Sequence, residues 1–168
     1  MMPTAKTFLR SRRGQGVTRW QSGEVEVEQL ERDGKLEYVT GAAADGATLL
    51  AQARKTATTA ASLVEADSYS AYVLAYDAAR FACVALLAQQ GLRATTDGGH
   101  YAVERVVRAQ FGVGFRPFAD LRRRRNELEY PRLPANTATA DEAREAVSVA
   151  ERLIAGADQL LGQLSFFT

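Results

Sequence analysis

The sequence predicts an all-α protein, an up-and-down bundle of four to five helices with a short N-terminal extension. Apolar residues recur every three or four positions in stretches that begin near residues 47, 68, 100, 118 and 140, which is the period of an α-helix. Glycine, proline and helix-capping residues separate these stretches. A chain of 168 residues fits one domain that is large enough to bury its own core.

The composition is that of an ordinary soluble protein, with 46% hydrophobic and 24% charged residues. A net charge of +1 argues against indiscriminate binding to polyanions, but it leaves room for a local basic site. The single cysteine, Cys83, rules out an internal disulfide and is expected to be a buried, inert thiol. No apolar run approaches the length of a membrane span and no signal core is visible, so we expect a cytoplasmic protein without a membrane partner.

The first 46 residues are predicted to be an extension outside the bundle. Residues 1–19 combine arginine with turn-forming residues and read as a mobile basic arm, either solvated or in contact with RNA or an acidic partner. Residues 20–46 are expected to form a short helix and an extended segment over 36–39. Four apolar residues should anchor this segment on the bundle: Trp20, Leu30, Leu36 and Val39.

The second long stretch, from Asp67-Ser68 to a glycine stop at Gly91, is apolar on most sides and is predicted to be the central helix. It nevertheless contains Asp77 and Arg80, which are three residues apart and able to interact. A charged pair in a buried helix is expected either to have a partner of opposite charge or to serve a function. Either it is a structural ion pair with another helix, or Asp77 orients an arginine or a substrate group at a cleft.

The only histidine, His100, is predicted to stand at the start of a helix that runs through Val103, Val107 and Phe111. The positive end of that helix should lower its pKa and favour a neutral imidazole, able to hydrogen bond or to act as a base. A local capping or packing role is the alternative. With one histidine and one cysteine, the sequence supports no metal site. The final helix is predicted to begin with a capping box at Thr139 and Glu142.

Four consecutive arginines, Arg122 to Arg125, lie in the stretch between Phe118 and Pro131. Arg125 occupies the position on the apolar stripe where another leucine is expected, so it should point toward packed protein or a cleft. A buried guanidinium keeps its charge and needs a carboxylate, a partner chain or a phosphate. Pro131 should end the helix with Tyr130 at its tip. The other arginines cannot all enter one site, so some are expected to be solvated or paired with nearby glutamates.

At these residues the chain resembles the HEPN superfamily, small helical-bundle proteins with a signature of arginine, a polar residue and then a histidine at a helix end. Arg125-Asn126 corresponds to the arginine and polar residue, and Tyr130 stands in the place of the histidine. The helix from Ser70 to Arg80 is similar to the family helix that carries a polar cleft residue. The resemblance covers residues 47–165, which are interpreted as the HEPN-like bundle.

This resemblance implies a metal-independent endoribonuclease, without a cofactor, that acts as a homodimer, often as a toxin or defence effector. The ribose 2′-hydroxyl attacks its own phosphate and gives a cyclic phosphate and a free 5′-hydroxyl. Such chemistry needs a cation for the charged phosphorane and a group that moves protons. The catalytic candidates are Arg125, Asn126, Tyr130 and Asp77. The candidates for binding RNA are Arg80, Arg122, Arg124, Arg132 and His100, and Arg123 belongs to the same run.

Tyr130 leaves alternatives open, because a phenol with an ordinary pKa of about 10 donates protons but is a poor base at neutral pH. His100 is one substitute for the missing base. A second hypothesis is an inert HEPN-like module that binds RNA or a partner, with Tyr130 as a recognition or modification point for an antitoxin or nucleotidyltransferase. A third is a plain dimeric adaptor in which Arg125 and Asp77 have structural roles only.

Overall fold

The computed structural model describes residues 19–167, and the account that follows concerns those residues. The predicted basic arm lies outside them, apart from its last residue. Arg19 belongs to the folded part: its guanidinium lies 3.0 Å from Glu24 and 2.7 Å from Glu28, and its Cζ is 4.5 Å from the centre of the Phe167 ring.

The described chain is mostly helical, as predicted, and also contains a small two-stranded sheet that was not predicted. Two short 3₁₀ turns, Gly41–Ala44 and Gly112–Phe115, precede helices. The principal elements, in chain order, are α1 (Glu24–Arg32), β1 (Leu36–Tyr38), α2 (Gly46–Leu63), α3 (Ser68–Gln89), β2 (Leu92–Ala94), α4 (Gly99–Phe111), α5 (Pro117–Glu129) and α6 (Ala140–Leu161).

Helix α3 packs against both α2 and α6, which also contact each other, and it forms the centre of the core. Asp67 caps it by accepting a hydrogen bond from the backbone of Ser70. Small side chains let the three helices approach closely: a Cβ on Gly46, the first residue of α2, would lie 2.6 Å from the Ala85 carbonyl oxygen. The buried alanines of the three helices are Ala53, Ala57, Ala60, Ala71, Ala75, Ala78, Ala79, Ala82, Ala85, Ala88, Ala143, Ala146, Ala150 and Ala157.

The expectation that no apolar run approaches a membrane span was wrong for α3. By length and composition alone, Ser68–Gln89 is sufficient to cross a bilayer. However, 67% of its apolar window is buried inside the protein, as in the core helix of a soluble protein. Cys83 lies within this helix, fully buried, and burial raises the pKa of its thiol well above the ordinary value, as expected for an inert cysteine.

The unpredicted sheet ties the N-terminal extension to the rest of the fold. Strands β1 and β2 are antiparallel, with Leu36 opposite Ala94 and Tyr38 opposite Leu92. The predicted short helix and extended segment are present as α1 and β1. Strand β2 was not predicted, because three residues are too few to establish an alternating pattern. Leu30, Leu36 and Val39 are buried, and Trp20 packs on the core, as predicted for anchors.

A buried pair of amides joins the end of α3 to the end of α4. Gln90 and Gln110 donate to each other's carbonyl oxygens over 2.9 and 2.8 Å, and they are 0% and 3% exposed. The backbone carbonyl of Gln110 accepts from the Trp20 indole, and that of Gln90 accepts from the Phe167 backbone. The two termini of the described chain therefore attach to the same pair.

We predict that Gln90→Met and Gln110→Met each destabilise the protein by about 1–3 kcal/mol, since each leaves a buried amide without its partner. The double variant should lose less than the sum of the two single losses, because it removes both polar groups together. Urea denaturation of the four proteins measures the coupling. Strictly additive losses would show that the reciprocal hydrogen bonds contribute nothing beyond packing.

Candidate functional site

Helix α5 begins and ends where the sequence predicted. Pro117 stands at its start, where its missing N–H is not needed, and Tyr130 is its C-cap immediately before Pro131. Phe118, Leu121 and Leu128 are buried on the apolar stripe of the helix. Arg125 shares that stripe, and its side chain is only 23% exposed. The prediction that this arginine points toward packed protein is therefore confirmed.

The Arg125 guanidinium is held between an aromatic ring and a carboxylate. Its Cζ lies 5.5 Å from the centre of the Tyr76 ring on α3, a distance at which a cation is attracted to the ring face. Its Nη1 lies 2.5 Å from Oε2 of Glu129, one turn along α5. Its Nε is buried and has no hydrogen-bond partner among the described residues. A buried donor without a partner is costly, so this arginine is incompletely satisfied within the protein.

Several predicted site residues gather around Tyr76, which is itself fully buried. The Tyr76 ring stacks on Phe118 of α5, with ring centres 5.7 Å apart and planes 2° from parallel. Its hydroxyl lies 2.6 Å from Nδ1 of His100, at the start of α4. Asp77 follows Tyr76 on α3, and its Oδ1 lies 3.4 Å from Nε of Arg80. We call Tyr76, Asp77, Arg80, His100 and Arg125 the Tyr76 cluster.

The electrostatics of the Tyr76 cluster favour a neutral imidazole. Burial and then the positive charges of Arg80 and Arg125 lower the pKa of His100 below its ordinary value. Burial raises the pKa of Tyr76 to about 12, so its phenol is protonated at neutral pH. A lowered pKa is the direction expected for His100, and burial and the neighbouring arginines are its causes. Because Nδ1 is engaged by Tyr76, Nε2 is the ring nitrogen left for a ligand.

The remaining arginines of the run point in different directions. Nε of Arg122 lies 2.6 Å from the nearly buried carboxylate of Glu104 on α4. Arg123 pairs with Asp120 and is largely exposed. Arg124 turns toward α6, where its Nε donates to Glu142 over 3.0 Å. The arginines of the run therefore point to different sides of α5, as expected for consecutive positions on a helix.

Arg124, a candidate for binding RNA, is engaged within the chain. Besides Glu142 it contacts Glu127, the side-chain oxygen of Asn136 and the backbone oxygen of Thr137. Glu142 is at the same time the second member of the predicted capping box, which is present. Arg124 thus anchors the loop between α5 and α6. Arg132, another candidate, is exposed in that loop.

Asn126 and Tyr130 lie apart from the contacts that define the Tyr76 cluster, on a neighbouring surface of α5. They line an open groove of about 660 Å³ between α4 and α5, together with Glu104, Arg108, Ala119, Arg122, Arg123 and Glu127. We call it the α4–α5 groove. Tyr130 is 79% exposed there. The sequence motif is therefore split: Arg125 faces the cluster, while Asn126 and Tyr130 face the groove.

Tyr76 was missed as a site residue, although its place beside Asp77 and one turn before Arg80 was a usable signal. Glu129 was expected to pair with an arginine of the run, and it stands four residues after Arg125, which is the spacing of a helical ion pair. Within residues 19–167 no group of three or more His, Cys, Asp or Glu residues is arranged to hold a metal ion.

We predict that His100 makes the stability of the protein depend on pH. Its pKa is lower in the folded protein than in the unfolded chain, where it is about 6.5. The unfolded state therefore binds a proton more readily, and stability is lost as the pH falls below about 6.5. His100→Asn, which keeps an acceptor near Tyr76, should lose less stability between pH 7 and pH 5. Urea denaturation of both proteins tests this, and parallel pH profiles would contradict it.

Comparison with known protein families, curated proteins and solved structures finds no match to this chain.

Proposed function

We propose that this protein is a metal-independent endoribonuclease of HEPN type that cuts RNA at the Tyr76 cluster. The observation that carries the proposal is that Arg125 and a neutral His100 contact the same buried tyrosine. A fixed guanidinium suits the charge that develops on a phosphorane, and an imidazole suits proton transfer. The incompletely satisfied Nε of Arg125 also supports a role for this arginine beyond stability.

The chemistry assigns one task to each group. With Nδ1–H of His100 donating to the Tyr76 oxygen, Nε2 takes the proton of the ribose 2′-hydroxyl as the 2′-oxygen attacks the phosphorus. Arg125 stabilises the additional negative charge, and Arg80 assists by electrostatic attraction. The bond from phosphorus to the 5′-oxygen breaks, and that oxygen takes a proton from water. The products are a 2′,3′-cyclic phosphate and a free 5′-hydroxyl, so no metal and no oxidant are needed.

The assembly that we propose for this chemistry is an up-and-down HEPN-like bundle of α2 to α6 that works as a homodimer. The close packing of α3 against α2 and α6 supports the bundle. In the resembled family two copies of the motif face one another, which would bring a second Arg125 to the RNA. A cytoplasmic toxin or defence effector, restrained by an antitoxin or a nucleotidyltransferase, is the proposed biological role.

A second candidate is an inert HEPN-like module that binds RNA or a protein partner. The observation that favours it is the placement of Tyr130, which is 79% exposed in the α4–α5 groove and is not among the contacts of Arg125. Glu129 already occupies one nitrogen of Arg125, so a phosphate must compete with that carboxylate. Binding without turnover is the expected behaviour of this second candidate.

We predict that the purified protein cuts total RNA in the presence of EDTA and leaves cyclic phosphate ends. Arg125→Ala should lower the rate by on the order of a hundredfold or more, because the phosphorane loses its cation. His100→Asn should lower it by about a hundred- to ten-thousandfold, as for loss of a general base. Arg116→Ala is the matched control, since Arg116 is an exposed arginine outside the Tyr76 cluster, and it should cut at the wild-type rate.

The outcomes separate the hypotheses. RNA that is bound but left intact by the wild-type protein would reject the nuclease and support the inert module. No binding and no cleavage, together with a lower melting temperature of Arg125→Ala, would support the structural adaptor. Cleavage that Arg125→Ala and Arg116→Ala affect equally would point to a contaminating nuclease.

A further inference from the structure

Two neighbouring concavities run along the exposed side of α4. One is the α4–α5 groove, and the other, of about 510 Å³, is lined by Glu26, Tyr101, Glu104, Arg105, Arg108 and Ala109. We call the second one the α1–α4 groove. The two share Glu104 and Arg108. They therefore form one continuous surface with Arg108 at the junction.

An exposed aromatic ring lies in each groove. Tyr130 is 79% exposed in the α4–α5 groove, and Tyr101 is 56% exposed in the α1–α4 groove. Arg105 lies over the Tyr101 ring, with its Cζ 5.6 Å from the ring centre. Neither ring contributes to the core, and more than half of each side chain is exposed to solvent. Exposed aromatic rings next to arginines are typical of protein surfaces that bind unpaired nucleotides.

The arginines on this surface differ in how free they are to bind a phosphate. Arg105 pairs with Glu26, and Arg122 pairs with the nearly buried Glu104. Arg123 pairs with Asp120, which does not line either groove. Arg108 makes no ion pair among the described residues and is exposed. Arg108 at the junction and Arg123 at the edge are thus the cations best able to take a phosphate.

We propose that a single-stranded segment of RNA lies across both grooves, with one base stacked on Tyr130, another on Tyr101 and the intervening phosphate on Arg108. Arg123 contacts a phosphate next to the base on Tyr130. An aromatic side chain stacks on a base that is unpaired, so duplex RNA does not fit this arrangement. The identity of this segment as the substrate rests on the proposed nuclease function. In that case Tyr130 is a positioning residue for the strand that enters the Tyr76 cluster.

The acidic groove on the opposite side of α5 explains why the RNA strand is expected to follow the α4–α5 and α1–α4 grooves. This acidic groove, of about 630 Å³, is lined by two arginines, Arg124 and Arg152, and by four acidic residues, Asp120, Asp141, Glu142 and Glu145. Its carboxylates repel phosphate, and its arginines pair with carboxylates: Arg124 with Glu142 and Arg152 with Glu145. Helix α5 therefore separates a surface that accepts a nucleic acid from one that does not. Arg152 supplies a matched control.

Fluorescence anisotropy with a fully 2′-O-methylated oligonucleotide tests the proposal on the intact protein. This probe lacks the 2′-hydroxyl nucleophile and cannot be cut, so binding is measured apart from catalysis. We expect the single strand to bind at least about tenfold more tightly than the same sequence as a duplex. Tyr130→Ala and Tyr101→Ala should each weaken binding by about five- to 150-fold, the range typical of a lost stacking contact. Arg108→Ala should also weaken binding, because the intervening phosphate loses its cation.

Further variants separate stacking and charge from loss of structure. Tyr130→Phe keeps the ring and should bind as the wild type does. Glu127→Gln removes a negative charge from the α4–α5 groove and should tighten binding. Arg152→Ala, on the acidic side, should change nothing. All replaced side chains are exposed, so equal melting temperatures are expected and are checked for each protein.

Two results would overturn the proposal: duplex binding as tight as single-strand binding, or unchanged affinity in both Tyr130→Ala and Arg108→Ala. Its failure is distinguishable from failure of the nuclease. If native RNA is cut while these variants bind and cut normally, the nuclease stands and the proposed path is wrong. If the single strand binds through these residues but native RNA stays intact, the path stands and the nuclease is wrong.

Discussion

The close packing of α3 against α2 and α6 is the constraint on which the rest of the structure depends. Alanines and Gly46 bring these helices close together. The charged residues of α3, Asp77 and Arg80, lie instead beside His100 of α4 and Arg125 of α5. The polar cluster therefore forms on the side of α3 that meets α4 and α5.

Much of this architecture follows from local sequence signals. The glycine after α3, the proline at the start of α5 and the capping box of α6 each fix a helix boundary through the hydrogen bonds that a single residue can or cannot make. The place of Arg125 on an apolar stripe correctly predicted its direction. Strand β2 could not be predicted in this way, because its three residues acquire their structure from pairing with β1, 54 to 58 residues earlier along the chain.

The site was harder to predict than the fold because its members come from three helices. The sequence placed Arg125, Asn126 and Tyr130 together in one motif, yet consecutive helical positions point about 100° apart. Arg125 therefore meets Tyr76 while Asn126 lines a different surface. The contact between Tyr76 and His100 joins residues 24 positions apart, so no local pattern reveals it. Without that contact the sequence could name His100 but not its partner.

The tyrosine between Arg125 and His100 links the two groups that the proposed chemistry needs. A phenol whose pKa is raised to about 12 keeps its proton at neutral pH. If that proton is donated to Nδ1 of His100, the imidazole carries its own proton on Nε2 and can only donate there. If Nδ1–H donates to the phenol oxygen, Nε2 is free to accept a proton. Arg125 over the ring disfavours further positive charge on His100, so the site holds a neutral imidazole whose role is set by one hydrogen bond.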